Sequence, residues 1–216
     1  MKRVILVGFL GIVSIAVAVP AAAADQGWSV EVDAGQSMYK KSDLHLQTGP
    51  NWYSSYDTQP SAYRLMVAYK FNRYWGIEGG YVDLGHANGD LTYSGTPVPI
   101  DTASRKMTRV DAKGWQFSGF ADYPFADHWM VYGRVGVIDA KVNYSFRSNA
   151  PIPALSPDIN ASNTSAKATY GVGIGWSVTT QFGLKLGWDR YQSLGSSGST
   201  GTYDIDLVSL GAQLSF

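Results

Sequence analysis

Apolar and polar side chains alternate with a period of two residues along most of the chain. From Trp28 to Ala34, every second residue is Trp, Val, Val or Ala, and the residues between are Ser, Glu and Asp. Successive side chains of a β-strand point to opposite faces, so this period predicts strands with one apolar and one polar face. Similar segments begin near Tyr63, Trp75, Trp115, Trp129, Tyr170, Phe182 and Tyr203. The pattern therefore predicts eight strands.

The connections between these strands alternate between long and short. The long polar connections are 40–60, 86–107, 147–165 and 192–201, and the short turns are 72–74, 124–128 and 179–181. Outer-membrane barrels have short periplasmic turns, long extracellular loops and an apolar lipid face. We therefore predict an all-β fold, an eight-stranded antiparallel up-and-down transmembrane barrel. A soluble β-barrel, whose apolar face would be the inner one, is the alternative.

Aromatic residues support the membrane alternative because they cluster at strand ends. At short-turn or terminal ends these are Trp28, Phe71, Trp75, Tyr123, Trp129, Phe182 and Phe216, and towards long connections they are Tyr63, Tyr81, Trp115, Tyr170 and Trp188. Two such girdles mark the interfaces of a membrane barrel. We expect residues 203–216 to pair with residues 28–38, which closes the sheet and leaves no edge in the lipid.

The amino terminus and the composition narrow the class further. A basic start, an apolar run and four alanines predict a cleaved signal peptide over residues 1–24, followed by a barrel domain over residues 25–216. The chain has no cysteine, which excludes a disulfide-stapled scaffold. Seventeen basic and seventeen acidic residues leave no net charge to attract nucleic acid. No cluster of residues has metal-ligand spacing, so we expect no cofactor.

The polar strand faces predict a charged lumen. Glu31, Arg64, Glu78, Arg134 and Lys185 lie on these faces. An eight-stranded barrel is just wide enough for side chains to fill it, so we expect a plugged lumen held by a structural charge network. Glycines 171, 173 and 175 also face the lumen and would make room for bulky side chains. An ion gate or small pore is the alternative function of the cluster.

Three segments resemble the OmpA-type transmembrane domain: Phe71 to Gly85, Tyr123 to Gly136, and Leu207 to Phe216. The resemblance implies a surface barrel with a structural or adhesive role, and it implies that Phe216 is the signal read by the barrel-assembly machinery. Glu78 and Arg134 match the lumen salt-bridge sites of the family, whereas Phe120 stands where the family has a lysine. We expect no peptidoglycan-binding domain of the OmpA type after residue 216, so the cell-wall role of OmpA is not carried over.

We therefore expect a structural surface protein of the bacterial outer membrane, whose long loops contact the surroundings. Its expected partners are outer-membrane lipid, lipopolysaccharide and host surface molecules. Basic residues near the outer rim either meet lipopolysaccharide phosphates or are ordinary solvated loop charges: Lys40, Lys41, Arg105, Lys106, Arg109 and Lys113. A small pore and a lipid A-modifying enzyme remain as alternatives. The enzyme would need a set such as Asp83 and His86 with a loop serine.

Overall fold

A computed structural model describes residues 26–41, 52–93, 105–148, 159–196, 198 and 200–216, and the predicted signal peptide lies outside these ranges. The described residues form nine strands: β1 Gly27–Lys41, β2 Trp52–Asp57, β3 Ser61–Lys70, β4 Trp75–Tyr93, β5 Arg105–Pro124, β6 Trp129–Ser148, β7 Ile159–Ser177, β8 Phe182–Ser196 and β9 Gly201–Ser215. No helix in this part of the chain is long and apolar enough to cross a membrane.

The nine strands make the eight walls of one closed antiparallel barrel. β2 and β3 both pair with β4, one above the other, and so form a single wall. The other neighbours follow chain order from β4 to β9. β1 closes the ring by pairing with β9 from Ser29↔Ser215 to Lys41↔Tyr203. The predicted fold class is therefore confirmed, including the pairing of the first and last strands.

One wall contains a matched break and bulge. Pro60, which has no amide proton for the ladder, lies in the gap between β2 and β3. Opposite it, β4 has a register shift between Asp83 and His86, and Gly85 there has a φ of 73°. A side chain at Gly85 would collide with the Ser61 carbonyl and with Pro60. The wall thus changes direction at a position that only glycine can occupy without strain.

The outer face carries the predicted apolar belt between two aromatic rings. On β5, Trp115 is 58% exposed and Tyr123 is 68% exposed, with Phe117 between them. Trp115 and Tyr123, one from each aromatic ring of the barrel, are eight residues apart on β5. This separation is about 27 Å along the strand, or roughly 21 Å along the barrel axis at a tilt of about 40°. That height is close to the apolar band of about 25 Å in outer-membrane barrels. The lipid face is therefore the one predicted, and the soluble-barrel alternative is wrong.

The strands continue well beyond the second aromatic ring, the one that contains Trp115, and this contradicts the predicted loop boundaries. We call the end of the barrel beyond Trp115 the long-strand end. The opposite end, with the turns at 71–74, 125–128 and 178–181, is the short-turn end. Residues 86–93, 105–107, 147–148 and 159–165 are strand, although we expected loop there. β2 and residues 192–196 are further strand segments inside expected loops.

The polarity of the walls reverses at the second ring, which explains these errors. On β6, Val137 is exposed on the outer face, but Ile138, Ala140 and Val142 are completely buried inside. Asp139 and Lys141 between them face outward. The wall is apolar outside where it meets lipid, and apolar inside where it meets water. The period of two continues, but its apolar positions move to the other face.

Candidate functional site

Seven charged side chains meet inside the part of the barrel that lies between the aromatic rings. The structure brings the five predicted residues together and adds two aspartates. We call this set the charge cluster: Glu31, Asp33, Arg64, Glu78, Arg134, Lys185 and Asp189. All seven are buried, with 0 to 7% of each residue exposed. Buried charges of this kind persist only when they are paired.

Arg64 is the most connected member of the cluster. Its Nε donates to Asp33 Oδ2 at 2.9 Å, and its Nη1 donates to Asp189 Oδ2 at 2.9 Å. Its Nη2 donates to Glu31 Oε1 at 3.4 Å. The guanidinium carries five N–H donors in a fixed plane, and here it joins three carboxylates from β1 and β8. Arg64 therefore ties together walls on two sides of the lumen.

Arg134 and Lys185 complete the pairing. Arg134 Nη1 donates to Glu78 Oε1 at 3.3 Å, and its Nε lies 2.8 Å from Asp189 Oδ1. Lys185 Nζ donates to Glu31 Oε2 at 2.6 Å. Lys185 and Glu78 come from facing walls, as expected, but each bonds to a different partner. Four carboxylates face three cations, so the cluster has a formal charge of −1 when all are ionised.

Sequence reasoning omitted Asp33 and Asp189 from the site, although cross-strand register links both to it. Asp33 lies directly opposite Arg64 on the neighbouring strand. Asp189 lies opposite Gly171, and a Cβ at Gly171 would collide with its Oδ1. A Cβ at Gly211 would likewise collide with Asp33 Oδ1. Both aspartates lie on the polar strand faces, which was the available signal, and the strand register adds that a lumen-facing glycine stands opposite each.

The expected role of the other lumen glycines agrees with the geometry. A Cβ at Gly173 would lie 2.5 Å from the Tyr132 ring, and one at Gly175 would lie 2.5 Å from the Met130 methyl carbon. Tyr132 in turn accepts a hydrogen bond from Arg134 Nη2 at 3.2 Å. Lys185 Nζ lies 5.1 Å from the centre of the same ring. Both glycines thus give space to bulky side chains, and the one at Gly173, Tyr132, packs against the cluster cations.

Above the charge cluster, the interior changes from charged to apolar. Gln116 bonds to Ser118 at 2.9 Å and accepts a hydrogen bond from the Tyr191 hydroxyl at 3.0 Å. Beyond this polar layer lies the apolar core: Tyr39, Ala62, Val82, Leu84, Val110, Ala112, Ile138, Ala140, Val142, Tyr191, Leu194, Tyr203, Ile205 and Leu207. At the short-turn end, the interior opens into a polar vestibule of about 470 Å³ lined in part by Lys70, Ser177 and Gln213.

The residues considered for catalysis are not assembled into a site within the described ranges. His86 lines an outer groove of about 390 Å³ together with Asp57, Ser61 and Asp83. No hydrogen bond or ion pair of the described residues involves the His86 imidazole. His128 lies in a short turn, and His45 lies outside the described residues. The groove therefore shows no base hydrogen-bonded to a nucleophile.

Phe216 lies at the short-turn end beside the first strand. Its amide donates to the Trp28 carbonyl at 2.9 Å, and its carbonyl accepts from the Trp28 amide at 3.1 Å. Its ring is 42% exposed on the lipid side. The role of Phe216 as an assembly signal stays a prediction.

The apolar belt, its two rings and the closed sheet define a bacterial outer-membrane β-barrel. The chain belongs to the OmpA-like transmembrane domain family, whose model matches residues 23–216. Both the resemblance and the predicted location are thereby confirmed.

One curated relative is outer membrane protein A of Klebsiella pneumoniae, which is 27% identical over 68% of this chain. Another is outer membrane protein A of Serratia marcescens, which is 24% identical over the full length of this chain. The chain spans only 39% and 56% of the length of these relatives. Among solved structures, Ail, the attachment invasion locus protein of Yersinia pestis in complex with the heparin analogue sucrose octasulfate, has a TM-score of 0.50 and 17% identity. That match covers 89% of this chain and 99% of Ail, and it shows the shared fold.

Proposed function

We propose that this protein is a surface barrel with a plugged lumen, whose long-strand end projects from the cell and makes contact there. The orientation follows from the short turns and both ends of the described chain, which share the opposite end. In outer-membrane barrels the short turns are periplasmic. The long-strand end then holds the connections at 42–51, 94–104 and 149–158, which lie outside the described residues.

The two-layer interior is the observation that carries the plugged lumen. An ion entering from the short-turn end would first meet the charge cluster, in which each cation is already paired with a carboxylate. It would then have to cross the apolar core, where Leu84 and Ile138 are fully buried. An ion in such a medium loses its hydration without compensation.

Planar-bilayer recording tests the plug. We expect the folded protein to give no discrete conductance steps at neutral pH, as in a bilayer treated with the detergent alone. Regular unitary steps would contradict the plug and support the small pore. The same recordings on Leu84→Ser test the apolar layer, and Leu210→Ser is the control, because Leu84 is in the apolar core and Leu210 faces lipid. Under this proposal, only the first variant should increase leakage.

The outer surface of the long-strand end supports contact with charged surroundings. Lys113 and Lys141 are direct cross-strand neighbours on the outer wall, two residues beyond Trp115 and Asp139. Like charges in such a pair repel each other, and a phosphate between them removes this cost. Asp83, Asp111 and Asp139 flank the pair, so the wall is mixed in charge. We propose lipopolysaccharide phosphate as the ligand of Lys113 and Lys141.

Two experiments test these contacts separately. Lys113→Gln with Lys141→Gln should weaken binding of lipopolysaccharide to the barrel in nanodiscs, whereas Lys40→Gln should not, because Lys40 is already paired with Asp206 at 2.6 Å. Equal binding by all three proteins would refute the phosphate site. Surface contact itself is tested by adherence of expressing cells to host cells, with soluble heparin as competitor because Ail was solved with a heparin analogue.

The enzyme alternative has its own test. Mass spectrometry of lipid A from a deletion strain and its complemented parent should show no difference under the proposed function. A lipid A change that disappears with His86→Ala would overturn the non-enzymatic proposal.

A further inference from the structure

Within the described part of the chain, one edge of β7 is unpaired in the long-strand end. β7 pairs with β6 along its whole length, from Trp129↔Trp176 to Phe146↔Ile159. Its pairing with β8 on the other side stops at Thr169↔Tyr191. Among the described residues, 159–168 therefore have a strand neighbour on one side only. We call these ten residues the β7 edge.

Two hydrogen bonds near the short-turn end show which backbone groups of the β7 edge are unpaired. The Ser177 amide donates to the His128 carbonyl of the β6 side at 2.8 Å. The Val178 amide donates to the Phe182 carbonyl of the β8 side at 2.9 Å. Amide direction alternates along a strand, so odd residues of β7 bond to β6 and even residues point to β8. Residues 160, 162, 164, 166 and 168 thus direct their amides and carbonyls to the open side.

The divergence of β8 is built into the fold. The β8–β9 register shifts between Tyr191 and Leu194, and Ser193 there adopts a φ of 51°. The Ser193 amide donates to Asp204 Oδ1 at 2.9 Å, and Arg190 Nη2 donates to Asp204 Oδ2 at 3.2 Å. After this bulge, β8 continues with β9 alone, and the buried Leu194 holds it over the apolar core. A bulge redirects a strand in this way.

The β7 edge has only one of the features that usually protect an edge strand, the inward-facing Lys167. Proteins block such edges with proline, bulges, short length or charged side chains. Residues 159–168 contain no proline, glycine, aspartate or glutamate and keep a regular register with β6 throughout. The outward side chains are Asn160, Ser162, Thr164, Ala166 and Ala168, all uncharged. The edge is therefore open to strand addition.

The charges around the edge favour an acidic strand. Lys167 is the one charged residue of the β7 edge; it lies on the inner face and forms no ion pair with any described residue. On the outer face of β6, Lys141 and Arg147 are exposed, opposed by Asp139. A strand added beside β7 would place its inner side chains next to Lys167. A carboxylate there would pair with a partly buried cation.

We propose that the β7 edge binds an extended acidic segment of an extracellular protein, which adds to the sheet as a strand antiparallel to β7. This rests on the proposed function, because the edge must project from the cell to be reached. Backbone hydrogen bonds to the even-numbered residues would give affinity for an extended segment. A carboxylate beside Lys167 would give the preference for an acidic segment over an uncharged one.

A synthetic strand peptide tests the proposal on the folded full barrel in micelles. The probe is a labelled peptide of about ten alternating threonine and valine residues with one glutamate, and its matched control has glutamine there. We expect the amides of the even-numbered edge residues to exchange rapidly without peptide and at least about tenfold more slowly with it. Lys167→Gln should remove the preference for the glutamate peptide over the glutamine peptide.

Thr164→Pro isolates the role of the edge. It removes an amide that points to the open side and keeps the bonds to β6, so the barrel should fold with unchanged circular dichroism. Thr164→Ala changes the same side chain and keeps the amide. We expect Thr164→Pro to weaken peptide binding at least about tenfold and Thr164→Ala to bind like the wild type.

Three outcomes would overturn the inference. Equal binding by both Thr164 variants would show that the peptide does not add to the edge. Slow hydrogen exchange of the even-numbered edge amides without peptide, at every protein concentration, would show that the chain covers its own edge. Protection that appears only at high protein concentration would show a second copy there. Adherence to host cells separates this inference from the proposed function. Equal adherence of cells with the wild type and with Thr164→Pro would show that surface contact does not use the β7 edge. If cells with the wild type do not adhere at all, the proposed surface contact itself is wrong.

Discussion

Replacing Arg64 by methionine should strongly destabilise the barrel, because Arg64 is the one cation among the described residues that pairs with Asp33. The side chain of Arg64 is fully buried, and it bonds to Asp33 and Asp189 at 2.9 Å each and to Glu31 at 3.4 Å. Without it, Glu31 keeps Lys185 at 2.6 Å and Asp189 keeps Arg134 at 2.8 Å. Asp33 keeps no ion-pair partner within 4 Å among the described residues.

The expected loss follows from that imbalance. The formal charge of the charge cluster changes from −1 to −2, and one buried carboxylate is left uncompensated. Removing one partner of a buried pair lowers the free energy of unfolding by about 3–5 kcal/mol. Adding Asp33→Asn removes the orphan charge, and this should restore about 1–3 kcal/mol through the coupling between the two sites.

Urea unfolding in detergent micelles, followed by tryptophan fluorescence, measures both values. Arg190→Met is the matched control, because Arg190 is an arginine of the outer wall that pairs with Asp204 at 3.2 Å and stays partly exposed. Arg190→Met should shift the midpoint of urea unfolding far less than Arg64→Met. The reasoning would be refuted if Arg64→Met shifted the midpoint no more than Arg190→Met, or if Asp33→Asn gave no recovery in the Arg64→Met background.

Three further predictions concern single residues. Glu78→Ala should lower the free energy of unfolding by about 1–3 kcal/mol, less than Arg64→Met, because Arg134 keeps Asp189; unchanged stability with a sharp rise in conductance would contradict the plugged lumen. Leu84→Ala removes a fully buried side chain from the apolar core and should cost about 2–5 kcal/mol in the same urea assay, while a loss below about 1 kcal/mol would mean that the core is loosely packed. The Ser193 amide, and then Arg190, hold the pKa of Asp204 below its usual value, so the β8 bulge should be stable above pH of about 4 and loosen as the pH falls through the lowered pKa. The protection of the Ser193 amide, measured relative to exchange of a free amide at the same pH, should fall in this way in the wild type and not in Asp204→Asn.

The period of two was sufficient to predict the walls of the barrel and their faces. Each wall crosses one apolar layer, so alternation and aromatic ends identify strands such as Trp28–Ala34 without knowledge of their partners. The closing pair was also predictable, because the first and last strands of an up-and-down barrel must meet. The five cluster residues followed from their position on polar faces.

The ends of the strands could not be predicted from the same pattern, because the apolar face changes side where the wall leaves the lipid. Adjacent apolar residues mark that change: Leu207 is 1% exposed inside, and Val208 is 42% exposed outside. Val137 and Ile138 form the same kind of pair on β6. The polar residues of 86–93 and 159–165 indicate loop in the sequence, but the structure has strand there. On β4, for example, Asn88 is exposed on the outer face and Ala87 packs against the apolar core.

The change of polarity also affects where surface contact can occur. A barrel that ended at the second aromatic ring would offer only flexible connections to a partner, and each would lose conformational entropy on binding. Here the walls continue as a sheet with its own buried core, in which Tyr191, Leu194 and Ile205 are completely buried. That core holds the β8 bulge in place, and after the bulge no described strand pairs with residues 159–168 of β7 on the β8 side. The strand that a partner would pair with is therefore held in its extended conformation before binding, so association orders fewer residues than it would on a loop.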